Sequence, residues 1–192
     1  MEQYIFRAKQ KTPVVTASRV GRVATKEETH PWIEGAYYQD KNTGKAHIIQ
    51  MRRCIPDTRD WDVADDAEKN PVFAPVAIEV IPDTVCMYAG LSACWMAYDN
   101  EPQEVDIWEH DVLEFKTDLD DKTGVSLMAE VAFDASAGGF ILVSDSFEDG
   151  YAPLSMFIEV EDGVPFIDAE NLGNIDEIPD FVKEDWIGEH NR

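Results

Sequence analysis

Glu109-His110-Asp111 is the sharpest cluster of side chains in this chain that could carry acid–base or metal chemistry. An imidazole between two carboxylates can serve as a general base, or ligate a metal ion with its neighbours. Extended backbone, however, sends adjacent side chains to opposite faces, so three consecutive ones rarely converge on one ion. The same residues also read as a tight polar turn, because Asp bonds nearby backbone. Val112, Leu113 and Phe115, with Glu114 between them, then form a strand entering a core.

Other motifs nominate no chemistry. Asp118 to Gly124 superficially suggests a calcium loop, but Gly124 is seventh from Asp118 and position twelve is Ala129, not Glu. Ala135-Ser136-Ala137-Gly138-Gly139 lacks the Lys-Ser/Thr ending of a phosphate loop, so its glycines serve a turn or bulge. Ser144 and Ser146 have no nucleophile elbow around them. His30, His47, His110 and His190 are scattered. Cys54, Cys86 and Cys94 make an odd count without a CxxC pair, which is a poor disulfide or zinc framework and reads as reduced, mostly buried thiols. The residues therefore name no catalytic group, metal ligand or cofactor. Trp95 and Tyr98 lie beside the turn chemistry of Asp99-Asn100-Glu101-Pro102 and are the candidate exposed aromatics of a partner-binding site. Glu109, His110 and Asp111 are further candidates for that site.

Charge is distributed unevenly. Of the net −23, residues 1–50 hold 8 Lys/Arg against 5 Asp/Glu, residues 51–98 hold 4 against 8, and residues 99–192 hold 4 against 26. The last part alone is −22, which makes direct nucleic-acid binding by it improbable, since phosphate contacts need Lys and Arg. Such acidity serves general solubility in the plainest reading, and beyond that it fits a basic protein partner, a cation, or a surface that resembles nucleic acid. Hydrophobic residues at 44% and charged residues at 29% fit a soluble globular chain. No apolar run approaches the ~18 residues of a membrane span. The start lacks a signal peptide's apolar core, so the expected location is cytoplasmic.

The elements that must position these residues are mostly short strands. Tyr4–Ala8, Pro13–Thr16 and Val20–Thr25 read as strands. Trp32–Tyr38 and Ala46–Met51 form a hairpin around Asp40–Lys45. Residues 56–75 read as a long loop or an ordered insert, with a strand resuming at Val76–Val80. Val85–Leu91 is apolar and ends at a glycine, with turn chemistry beyond it. Leu119–Gly124 reads as a polar loop. Leu127–Phe133 with Ala137–Val143, and Phe157–Val160 with Val164–Ile167 around Asp162-Gly163, complete the strand pairs. Only Asn174 to Trp186 looks helical, with Pro179 in its first turn and Ile178, Phe181, Val182 and Trp186 on one face. The fold class is mainly β with a short C-terminal helix.

Four boxes, and a fifth near the end, resemble the YopX-like proteins of phages and prophages. They are Tyr4–Ala8, Trp32–Gly35, Val80–Leu91 with its Ile81-Pro82-Asp83-Thr84, Ile107–Val112, and Asn171–Ile175 with Pro179. The chain departs at His110, where the family usually has Gly, and at Ala89, where it has Thr. A Gly at the turn would allow a positive φ that His tolerates less well. The resemblance implies two β-rich subdomains, 1–84 and 85–192, the second an SH3-like small barrel. It implies a phage or mobile-element setting and a homo-oligomer, and it implies no reaction. The expected function is a non-enzymatic accessory protein that binds a protein partner. The alternatives are an acidic inhibitor that occupies a host protein's nucleic-acid-binding surface, and a metal-assisted hydrolase using residues such as Asp111.

Overall fold

The computed structural model describes residues 5–20, 23–54, 72–96, 102–115, 126–180 and 182–183. The chain divides into two compact units, Met1–Val85 and Cys86–Arg192. Both are built from strands, and the fold is mainly β.

The first unit contains β1 (Phe6–Lys9), β2 (Val14–Val20), β3 (Val23–Thr29), β4 (Trp32–Gln39), β5 (Ala46–Cys54), β6 (Val72–Val80) and a 3-10 turn at Pro82–Thr84. β1, β4, β5 and β6 lie side by side, all antiparallel. The chain leaving β1 then returns to β6: Lys11 N donates to Glu79 O at 3.0 Å and Ile81 N donates to Lys9 O at 2.9 Å. Ala8, Ile33, Ala46, Ile48 and Val80 are buried on the inner face, with Phe6, Tyr37, Ile78 and Val85 against them. The expected β4–β5 hairpin forms around a turn set by Asp40. Its carboxylate accepts from Asn42 N and Thr43 Oγ1, both at 2.8 Å, and Gly44 takes φ +71°. Local backbone competition by Asp is the physical reason for this turn. β2 and β3 form a separate two-stranded pair.

The strand expected from Val76 begins earlier, at Val72, and runs through Pro75. A proline is tolerated there because its missing N–H can face away from the ladder. Residues 55–71, the body of the expected loop, lie outside the described residues, as does Leu119–Gly124.

The second unit contains β7 (Cys86–Met96), β8 (Pro102–Trp108), β9 (Asp111–Phe115), β10 (Leu127–Asp134), β11 (Gly139–Val143), β12 (Tyr151–Pro153), a 3-10 turn at Leu154–Phe157, β13 (Ile158–Glu161), β14 (Val164–Asp168) and β15 (Glu170–Asn174). One sheet runs β13-β14-β7-β8 and the other β12-β11-β10-β9-β15. The pairing of β14 with β7 is parallel, and the other pairings in both sheets are antiparallel. The two sheets share a core: Ala93, Ile107 and Ile167 come from the first, and Leu113, Ala129, Val131 and Leu142 from the second. Full burial of a Leu such as Leu113 or Leu142 contributes about 1.5–3 kcal/mol.

The apolar run Val85–Leu91, read as ending at its glycine, belongs to a strand that continues to Met96. Gly90, at φ +78°, lies in a register shift between Tyr88 and Ser92, so the glycine makes a bulge and does not end the strand. Asp162 and Gly163 both take positive φ, 51° and 82°, the signature of the tight hairpin turn expected there. In the tail, Val182 N and Lys183 N donate to Pro179 O, a first helical turn, and Ile178 is buried. Phe181 and Trp186 lie outside the described residues. Among the described residues, no helix is long and apolar enough to cross a membrane.

Candidate functional site

The Glu109-His110-Asp111 tripeptide is a two-residue turn, Glu109-His110, followed by the first residue of β9. Its three side chains diverge. Glu109 Oε2 accepts from Met87 N at 3.4 Å, and Glu109 N donates to Met87 O at 2.9 Å, so this residue faces β7. His110 is exposed, and its Nδ1 lies 2.8 Å from Glu130 Oε1 on β10. Asp111 turns inward and is 1% exposed, with Oδ2 accepting from Trp108 N at 3.0 Å and from Asn171 Nδ2 at 3.1 Å.

Backbone bonds complete the node. His110 N donates to Val131 O at 2.7 Å, and Ile175 N donates to His110 O at 2.8 Å. Elements from both sheets of the second unit therefore meet at this turn. Each of the three side chains has a structural partner within the unit. His110 takes φ +67°. A left-handed residue in second place is the sign pattern of a type II turn, which favours glycine. Histidine thus occupies a turn position whose geometry suits glycine.

Trp95 is not an exposed aromatic. It is half-buried and packs against the second unit's core, because odd-numbered positions from Ala93 face inward on β7. Tyr98 lies outside the described residues.

The larger chemical feature is the outer face of the β13-β14-β7-β8 sheet. Register aligns Asp106 with Ser92, Glu104 with Cys94, and Asp168 with Cys94. On the next strand pair, Glu159 lies opposite Phe166 and Glu161 opposite Val164. Side chains alternate along a strand, so Glu104, Asp106, Asp168, Glu159 and Glu161 share one face. All five are exposed, and among the described residues none is in an ion pair with Lys or Arg. Asp106 Oδ1 accepts from Tyr88 Oη at 3.3 Å and from Ser92 Oγ at 3.4 Å.

Cys94 sits among these carboxylates. Burial pushes its thiol pKa up, and the negative charges of Glu104, Asp168 and Glu161 push it further. Tyr88 is raised likewise, first by burial and then by Asp106. Both shifts disfavour adding another anion to a surface that already holds several. Among the described residues, no group of three or more His, Cys, Asp or Glu is arranged to hold a metal ion. The sequence carried a signal for this face in its two period-two pairs, Glu104-Val105-Asp106 and Glu159-Val160-Glu161. What brings Asp168 between them is the parallel β14–β7 pairing, which neither pair encodes.

No family model, curated protein or solved structure matches the chain.

Proposed function

We propose that this protein acts by binding a basic protein partner through the acidic sheet face of its second unit, and not by catalysing a reaction. One observation carries the reading: five carboxylates, Glu104, Asp106, Glu159, Glu161 and Asp168, share one sheet face. The second unit as a whole holds 26 Asp/Glu against 4 Lys/Arg, which are Lys116, Lys122, Lys183 and Arg192. Such a field draws in cationic partners and speeds their encounter. The sequence boxes support a YopX-like phage or prophage accessory protein working in the host cytoplasm, with an SH3-like small barrel in residues 85–192.

Retention of a Lys/Arg-rich protein from host lysate at moderate salt tests the reading. The control is a variant with the five carboxylates changed to amides, E104Q/D106N/E159Q/E161Q/D168N. Wild type should retain the partner and the variant should lose it. Equal retention by both would refute a role for this face.

The period-two placement of the carboxylates favours a second reading, an inhibitor that imitates nucleic acid. Residues two apart on a strand repeat every ~6.6 Å, giving a regular row of negative charge. On this reading the protein displaces labelled DNA from its partner. A partner that held DNA and this protein together would count against it.

A further inference from the structure

The acidic-face reading leaves open how the partner attaches, and the outer edge of β8 supplies an answer that rests on that reading. Among the described residues, β8 pairs with β7 and with no other strand. Three hydrogen bonds set the direction of its main chain. Glu109 N donates to Met87 O, toward β7. Trp108 N donates instead to Asp111 Oδ2 at 3.0 Å, and Asp106 O accepts from Asn171 Nδ2 at 3.3 Å, both on the other side. Main-chain groups alternate sides along a strand. The N–H of Asp106, both main-chain groups of Glu104 and the C=O of Pro102 therefore point away from β7 as well. Pro102 has no N–H to leave unpaired.

Unpaired edge groups of this kind are a template for an added strand, with main-chain bonds giving affinity and alternate side chains giving selectivity. The two sides of this edge differ chemically. Glu104 and Asp106 stand on the outer face, with Asp168 two strands further in. Val105 projects on the opposite side and is 44% exposed.

We propose that an extended segment of the partner adds to β8 as a new edge strand. It carries Lys or Arg at alternate positions toward Glu104 and Asp106, and an apolar residue between them toward Val105. The ligand class is thus an alternating basic/apolar peptide, and simple polycations bind less well.

The full chain is titrated with a Gly-flanked Lys-Val-Lys-Val-Lys peptide, and with two isomers that each carry two N-methyl groups, on the last two Lys amides or on the two Val amides. All three carry the same charge. The parent should bind, and slow amide hydrogen exchange at Glu104 and Asp106. One methylated isomer should bind as the parent does, and the other should lose at least about tenfold, because its edge-facing donors are blocked. Equal binding by all three would overturn strand addition while leaving the acidic-face reading intact. Failure of the parent to bind at low salt would overturn both.

Discussion

His110 holds its backbone at φ +67° while its Nδ1 lies 2.8 Å from Glu130 Oε1 on the neighbouring strand. A left-handed residue that is not glycine costs about 1–2 kcal/mol. The His110–Glu130 contact is largely exposed and offsets at most ~1 kcal/mol. H110G should therefore leave stability unchanged or raise it by up to about 1 kcal/mol, whereas H110V should lower it by ~1–2 kcal/mol. Urea unfolding of both variants checks this. A large loss in H110G would show that the imidazole does more than occupy the turn.

Asp111 is buried and accepts from both Trp108 N and Asn171 Nδ2. D111A strands these donors and should cost about 2–4 kcal/mol. D111N keeps an acceptor oxygen and should cost less than D111A. Thermal unfolding of the two variants would show the order, and a reversal would refute the node described at this turn.

Gly35 lies against the carbonyl of Ile49, where a Cβ would sit 2.3 Å from the oxygen. Backbone cannot move aside as a flexible side chain does. G35A should destabilise the first unit by about 1–3 kcal/mol. Hydrogen exchange of the β4–β5 amides should report the loss there, while the β9–β10 amides of the second unit stay protected.

Among the described residues β5 is the one named strand paired with β6, and Pro75 guards the other edge. Lys11 N donating to Glu79 O and Ile81 N donating to Lys9 O show that odd-numbered residues of β6 turn their main chain away from β5. Pro75 shares that direction and removes one donor from it. Its neighbours on that sheet face, Met51 and Phe73, are 63% and 53% exposed. P75T restores the N–H and should increase concentration-dependent association in light scattering. An unchanged scattering profile would show that the edge is protected in some other way.

Cys94 should alkylate slowly at mild alkaline pH, because burial and three nearby carboxylates hold its thiol above the ordinary range. The folded value exceeds the unfolded one of about 8.5. Stability linked to this group is complete below that value, and is lost as pH rises through the folded pKa. E104Q/D168N should speed alkylation of the Cys94 peptide, followed by mass spectrometry, and high salt should do the same for wild type. Insensitivity to both would mean that the carboxylates are not clustered around the thiol.

Local chemistry made much of this fold legible. Asp40 and Asp162-Gly163 set their turns through short-range geometry, so the two hairpins were readable from a handful of residues. Alternation of apolar and polar residues marked β9 and the strands around it. Gly90 misled, because a glycine at the end of an apolar run and a glycine in a bulge look alike until the partner strand is placed. Trp95 misled for a related reason: its neighbours in sequence are polar, but the face it occupies is set by the parity of β7.

By itself, then, the sequence determined the β class, the concentration of negative charge after residue 98, and the turn at Glu109-His110. These depend on composition and on contacts within a few residues. Tertiary structure alone decided that the Glu109, His110 and Asp111 side chains part company, and that Glu104, Asp106, Asp168, Glu159 and Glu161 share a face. Both outcomes depend on register between strands distant in the chain. Shifting a strand by one residue would turn every one of its side chains to the other side.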